Sequence, residues 1–364
     1  IFRDRLTTEE DCALVDEELA SILNSTFSGD EASTALQDPI IFGDYKLAPE
    51  RLSEDKDDPR LYEDLESYEN ISKIFDVVLE CHNMEHKAMN LVLFQLALEH
   101  LTRVHRIIRM KRGNALLVGV GGSGKQSLTK LAAFCAGYEV FQITLMRGYG
   151  ETEFREDLKE LYKLLGQKEV VFLFTDAHVA EEGFLEFLNN MLTVGMPAAL
   201  YEQDEKDGLI NSVRNEVAAA GLVQTPEVCW RYYVNKARNN LHIVLSMSPS
   251  GDKLRVRCRN FPGLVSSTSI DWFFPWPSEA LERVATNFLK EDNLPEEHAG
   301  KIIGHMVYTH LKVLEFANRF TTELRRYYDV TPKNYLDFIS NYREQLASGS
   351  KKVEADINRL QGGL

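Results

Sequence analysis

The chain alternates short apolar runs with stretches of helical periodicity. The apolar runs fall at 115–118, 139–143, 170–175, 241–247 and 269–273. Runs of this length predict strands buried on both faces, the pattern of a mainly parallel sheet. Between them, 126–135, 151–165 and 184–192 carry apolar residues at three- and four-residue spacing and predict helices. Strands alternating with helices imply an α/β unit whose sheet is sandwiched by helices. Pro275 and Pro277 interrupt the pattern, and the chain from there to Leu346 reads as helix, an all-α second subdomain.

Ahead of the sheet, Ile71, Ile74 and Val78, then Leu91, Phe94, Leu98 and Leu101, predict two helices within 61–110. Residues 1–60 read as a lead-in: a helix over 11–23, a Ser-, Gly- and Asp-rich loop, an extended Asp38–Asp44, and a polar connection marked by Pro49 and Pro59. In the tail, Val353, Ile357, Leu360 and Leu364 recur at a/d spacing. Two heptads are too few to choose between the opening of a coiled coil and a last amphipathic helix. The resulting partition is a lead-in over 1–60, a large α/β subdomain over 61–275, a helical lid over 276–348 and a tail over 349–364.

Composition narrows the function. The 364 residues carry 41 Lys and Arg against 56 Asp and Glu, a formal charge of −15. That balance argues against a duplex nucleic-acid binder, which needs cations to displace condensed counterions. It leaves room for a local basic pocket around a small anion. No apolar run is long enough for a membrane span. Five scattered cysteines without a Cys-x-x-Cys pair point to a reducing, cytoplasmic setting. The opening Ile1–Arg5 lacks an initiator Met and an apolar leader, and reads as a piece of a longer chain.

The most informative stretch runs from Ala115 through Gly119, Gly121, Gly122, Ser123, Gly124, Lys125, Gln126 and Ser127. Gly-x4-Gly-Lys alone recurs by chance, but here a buried strand precedes it and a helix follows. In that setting the glycines let backbone N–H groups converge on phosphate oxygens, the helix N-terminus adds its dipole, and Lys125 reaches the outer phosphates. The residue after the lysine, ordinarily a Ser or Thr that ligates Mg²⁺, is Gln126. Ser127 follows one position, about 100°, further round the helix. Gln126 and Ser127 are therefore the candidate metal contacts, beside an acid at the end of a second strand. That acid is Asp176, which ends the strand 170–175 where open α/β sheets place their ligands.

The next residue is Ala177, so the carboxylate that would polarise an attacking water is missing. His178 stands either as a substitute base or as an ordinary satisfied histidine. Ser248, after the strand 241–247, reads equally as a γ-phosphate contact or as the opening of a Pro249 turn. Arg255, Arg257 and Arg259 read as a solvated basic face more readily than as cations offered to a neighbouring nucleotide. Cys81, His82 and His86 lack the further ligand a metal site needs.

These runs, in order, carry a resemblance. Asp38-Pro-Ile-Ile-Phe-Gly-Asp-Tyr45, Arg112 to Thr129 around the phosphate loop, Phe172-Leu-Phe-Thr-Asp-Ala-His178, Asn240 to Pro249, Phe261-Pro-Gly-Leu264 and Ile270-Asp-Trp-Phe273 resemble the fourth AAA+ module of axonemal dynein heavy chains. The likeness covers nearly the whole chain. It implies an AAA+ P-loop NTPase fold with a parallel sheet and an α-helical lid, binding ATP or ADP with Mg²⁺. It also implies neighbouring AAA+ modules, other dynein chains and axonemal components as partners. The microtubule would be reached only indirectly, through a stalk rooted at Arg359–Leu364, in a cilium or flagellum. Under the resemblance Gly119–Ser127 match the Walker A segment, Asp176 matches Walker B, Ser248 takes the sensor-1 place, and Ile41 and Phe42 line the adenine pocket. Ser266-Ser267-Thr268 stand where related modules carry an arginine finger. Three roles follow as expectations: a regulatory module with slow or no hydrolysis, an active ATPase, or a structural module holding a non-exchanging nucleotide.

Overall fold

A computed structural model describes residues 3–36, 41–54, 56–290, 292 and 294–362. The expected extended residues Asp38, Pro39 and Ile40, and the last heptad position Leu364, lie outside the described residues. Two compact units emerge. The first takes the chain up to Leu93, then Ala97–Gly119 and Gly124–Phe273; the second takes Phe94–Leu96, Val120–Ser123 and the chain from Phe274.

In the first unit a short antiparallel pair, β1 (Phe42–Gly43) and β2 (Glu63–Asp64), precedes the sheet. The sheet itself contains β3 (Ala115–Gly119), β4 (Glu139–Phe141), β5 (Val170–Thr175), β6 (Leu241–Met247) and β7 (Ser269–Phe273). Their order is β4-β5-β6-β3-β7, and every pairing is parallel. All five strands correspond to the apolar runs of the sequence. β3, β5 and β6 are buried along their whole length, as a sheet covered on both faces requires. The parallel, helix-covered sheet with its phosphate loop is a P-loop AAA α/β fold.

Asn114 sets the register at the start of β3. Its side-chain oxygen accepts the Ile243 N–H at 2.8 Å, and its carbonyl accepts the Ser269 N–H at 2.8 Å, so one residue aligns both neighbouring strands. On one face of the sheet, Phe172 and Phe174 of β5 join a core with the helical Phe154 and Phe184; Phe154 meets Phe174 at 6.1 Å and stacks on Phe184 at 4.4 Å. At the edge, His100 stacks on Phe273 at 3.8 Å and bonds buried Asp271 at 2.8 Å, and Arg103 bonds the other oxygen at 3.1 Å. These contacts pin the Gln95–Arg109 helix to β7.

Two parts depart from the sequence reading. Leu91 and Phe94, counted there as helical, fall in a non-helical break between the Tyr68–Glu85 and Gln95–Arg109 helices. Residues 203–240, for which periodicity suggested nothing, form the helices Gln203–Ser212, Arg214–Ala219 and Pro226–Asn240. The last has a readable start: Thr225 accepts the Val228 N–H, and Pro226 takes the first turn. Its buried positions are Cys229, Tyr233 and Ala237, a stripe without Val, Leu or Ile.

The lead-in is fastened to the Gln95–Arg109 helix by polar contacts. Tyr45 bonds Thr102 at 2.8 Å, and Asp44 bonds Arg109 at 2.6 Å and faces His105 at 3.5 Å. The second unit holds the helices Ser278–Leu289, Glu296–Leu324 and Pro332–Gly362. Tyr335 donates to the Leu281 carbonyl at 3.0 Å and packs against His310. The last helix runs unbroken from Pro332 to Gly362. Only Pro332, Tyr335 and Ile339 of it are buried, while Val353, Ile357 and Leu360 are exposed.

His105 generates a prediction. Its burial holds the imidazole neutral, with a folded pKa lowered to about 3 against the ordinary 6.5, despite Asp44 pulling it up. The unfolded chain therefore binds the extra proton between those values, so this stability is present above pH 6.5 and lost as pH falls towards 3. Urea unfolding at pH 7, 5 and 4 should show stability falling with acidity, and His105→Gln should flatten that slope. Parallel slopes for the two proteins would refute the assignment.

Candidate functional site

β3 ends at Gly119 and the Lys125–Ala136 helix begins six residues later, so a short loop carries the chain from strand to helix. Gly122 (φ 77°) and Gly124 (φ 93°) both lie in the left-handed region, where a side chain would be strained. Gly122 is doubly constrained: a Cβ there would stand 2.6 Å from the Cβ of Lys333, a residue of the same compact unit. Ser123 braces the loop by donating to the Val120 carbonyl at 3.0 Å. Gly124 caps the helix without a side-chain bond, and no acidic residue sits in the first turn. The first-turn N–H groups thus have no side-chain acceptor at the cap, an arrangement suited to an anion.

Lys125 is nearly buried, and its Nζ donates to the Gly119 carbonyl at 2.6 Å. Burial pushes its pKa down to about 8, while the charge of Asp176 pulls it back up. An ammonium held this way is stabilised further by any phosphate that arrives. Gln126 is exposed and Ser127 half-buried on the helix that follows.

Asp176 stands at the end of β5 with both carboxylate oxygens engaged. Oδ1 accepts from Arg257 Nη1 at 2.7 Å, and Oδ2 accepts the Ser248 backbone N–H. The Ser248 hydroxyl bonds Ser250 at 3.1 Å and accepts the Ser250 N–H at 3.3 Å, the turn expected before Pro249. Ser248 therefore meets Asp176 through its main chain and closes a turn through its side chain. Ala177 is exposed. His178 Nδ1 accepts the Thr175 N–H at 3.1 Å, with the ring edge against Phe174. That bond leaves the proton of the neutral ring on Nε2, a tautomer with no free nitrogen lone pair to act as a base.

The residues present fit a polyphosphate: a glycine loop, uncapped helix N–H groups and a buried lysine. They fit a metal less well, because the acid that would hold it is already paired. Mg²⁺ held there by Asp176, Gln126 or Ser127 would neutralise phosphate charge.

Arg257 is the residue that sequence reasoning misplaced. Arg255 and Arg259 are exposed as a basic face should be, but Arg257 is only 8% exposed and ion-paired. Ile41 and Phe42 lie at the β1–β2 pair. Ile41 is buried and its carbonyl accepts the Leu65 N–H, while Phe42 stacks with Tyr62 at 6.1 Å. Phe42 and Tyr62 wall a cavity of about 300 Å³ with Asp44, Arg60, Arg106 and Arg109, beside the last turn before β3 begins. Phe94–Leu96, in contrast, share a compact unit with Val120–Ser123, and Phe94 packs edge-on to Trp276 at 5.3 Å. The signal for that segment was the apolar run Leu91–Phe94 just before a helix start, which periodicity absorbed into the helix. His82 and His86 pack on Phe134 at 5.2 and 5.7 Å. Among the described residues no cluster suited to a metal ion is present, and no helix is long and apolar enough to cross a membrane.

Sheet order, phosphate loop and strand-end aspartate define a P-loop AAA module. Residues 89–345 match the family described as the P-loop containing dynein motor region D4, and the chain belongs to that family. It is 56% identical over 368 residues to the Dynein-1-alpha heavy chain, flagellar inner arm I1 complex, of Chlamydomonas reinhardtii. Identity is 51% to human Dynein axonemal heavy chain 10, and 41% to the Dynein beta chain, flagellar outer arm, of Chlamydomonas reinhardtii. Each alignment covers all of this chain and 8% of the relative, so the chain spans about a twelfth of their length.

The Lys125 environment predicts a pH-dependent affinity. Phosphate binding requires the ammonium, whose pKa in the free protein is about 8. Above that pH binding must take up a proton, so affinity for ADP should fall as pH rises through 8, by up to about tenfold per unit. Fluorescence titrations at pH 7, 8 and 9 check this. Lys125→Arg, which does not titrate in that range, should show no such slope.

Proposed function

We propose that this chain is a regulatory nucleotide-binding module of an axonemal dynein heavy chain, taking ATP or ADP on Gly119–Ser127 and hydrolysing it slowly or not at all. The observation that carries the reading is the end of β5. Asp176 is followed by exposed Ala177, and His178 spends Nδ1 on the Thr175 N–H, so neither adjacent side chain offers a base to an attacking water. Lys125 and the loop provide binding, Asp176 the acid that faces the phosphates, and Ser248 the main-chain contact that orients Asp176.

The module would work by position rather than by turnover. A nucleotide that binds two arrangements of the chain with different affinity shifts their populations, and the continuous Pro332–Gly362 helix offers a route for the shift to leave the module. The names of the relatives support a ciliary or flagellar setting, where the neighbouring modules of the same heavy chain, other dynein chains and axonemal components would be the partners. The microtubule would be engaged at a distance, through a stalk continuing that helix.

Occupancy and turnover measured together test the reading. Nucleotide released from the purified chain is identified by chromatography, and ATP hydrolysis is followed in a single-turnover assay. Lys125→Ala should weaken nucleotide binding by about 10- to 100-fold, the worth of lost hydrogen bonds to a charged group. No Lys125-dependent hydrolysis should be seen. Clear Lys125-dependent turnover would overturn the regulatory reading in favour of an active ATPase. A nucleotide that co-purifies and refuses exchange would mark a structural site instead.

A further inference from the structure

Arg257 lies on the Lys253–Asn260 helix and reaches two carboxylates at once. Nη1 bonds Asp176 Oδ1 at 2.7 Å, Nη2 bonds Glu182 Oε1 at 2.7 Å, and Nε bonds Glu182 Oε1 and Oε2 at 3.1 and 3.3 Å. The guanidinium is therefore locked in place, with its side chain 10% exposed, while Asp176 remains 38% exposed. Bidentate, charge-assisted bonds of this kind are the strong class.

The metal side of the site is weakened at three points. Asp176 has one strong donor on each oxygen, from Arg257 and from the Ser248 N–H. Gln126, exposed, replaces the hydroxyl expected directly after the lysine. Ser127 points about 100° away on the helix. Mg²⁺ demands near-octahedral geometry and holds its waters tightly, so it needs acceptors free to receive those waters. A fixed guanidinium on Asp176 takes one acceptor lobe and repels a dication at short range.

We propose that Arg257 is a built-in counter-ion that holds Asp176 in competition with Mg²⁺, so that this site binds a nucleoside polyphosphate with little help from the metal. The inference rests on the nucleotide-binding reading above. Arg257 is a positioning residue: it acts through Asp176, and its charge replaces part of what the metal supplies elsewhere.

The test is the Mg²⁺ dependence of affinity, read with N-methylanthraniloyl-ADP on the full 364-residue chain. Dissociation constants are taken with excess Mg²⁺ and with EDTA. For the native protein the two should agree within about threefold, whereas Arg257→Met should make binding at least about tenfold tighter with Mg²⁺ than without. Glu182→Gln keeps the Arg257–Asp176 pair and should retain the native ratio, which separates an effect on the metal from a mere loss of the clip to Glu182. Thermal melts confirm that each variant is folded, and the native ratio is decisive even if Arg257→Met is not. A native preference for Mg²⁺ of about thirtyfold or more would overturn the inference alone. So would an unchanged ratio in folded Arg257→Met. Absence of any binding to the native chain under both conditions would overturn the nucleotide reading and this inference with it.

Discussion

Everything at the site depends on the double pairing of β3. Its residues Ala115 to Val118 are laddered to β6 on one side and β7 on the other, all without access to water. A buried backbone group left unpaired costs about as much as a lost hydrogen bond, so a one-residue slip on either edge would be penalised along the whole strand. Asn114 adds side-chain and main-chain bonds that tie both neighbours to the same register. The point at which β3 ends is thereby fixed, and the glycine loop and Lys125 inherit their position from it.

Charge at the site is governed by burial rather than by the net balance. The chain as a whole carries −15, yet the groups beside the loop are a nearly buried lysine and a nearly buried arginine sharing one strand-end aspartate. Desolvation makes each of these interactions stronger than its surface counterpart and makes each cation costly to leave alone. Lys125 meets that cost by donating to the Gly119 carbonyl, and Arg257 by spanning Asp176 and Glu182. An incoming polyphosphate would relieve the lysine at once. The arginine has no such need, which is why the two cations at one site behave so differently.

The sheet and its loop were legible because their physics is local. Strands buried on both faces must be apolar throughout, and a loop that turns back on a phosphate needs glycines where φ is positive, as Gly122 and Gly124 show. What escaped the sequence depends on partners far along the chain. The β1–β2 pair joins Phe42 to Asp64 across an intervening helix, and two-residue strands carry no periodicity to read. The Pro226–Asn240 helix buries a cysteine, a tyrosine and an alanine, so its face lacks the aliphatic stripe that marks a helix. Arg257 was read as one of three like residues. On a helix, positions two apart differ by about 200°, so Arg255 and Arg259 share the solvent side while Arg257 turns inward. Only the helical assignment of 253–260 separates them, and that stretch offered too few apolar residues to suggest it.

The Pro332–Gly362 helix has a mechanical consequence. Its 31 residues make a rod about 46 Å long, with Pro332, Tyr335 and Ile339 buried in its first turns and Arg343 bonded to Asp292 at 2.6 Å further along. A tilt of about 5° about Arg343 would sweep Gly362, about 28 Å beyond it, through about 2.5 Å, so small adjustments in the anchored stretch arrive magnified further along. Lys333, whose main chain leaves no room for a Cβ on Gly122, lies within that anchored stretch. A loop glycine thus touches the short arm of a lever whose long arm is the exposed stretch beyond Arg343.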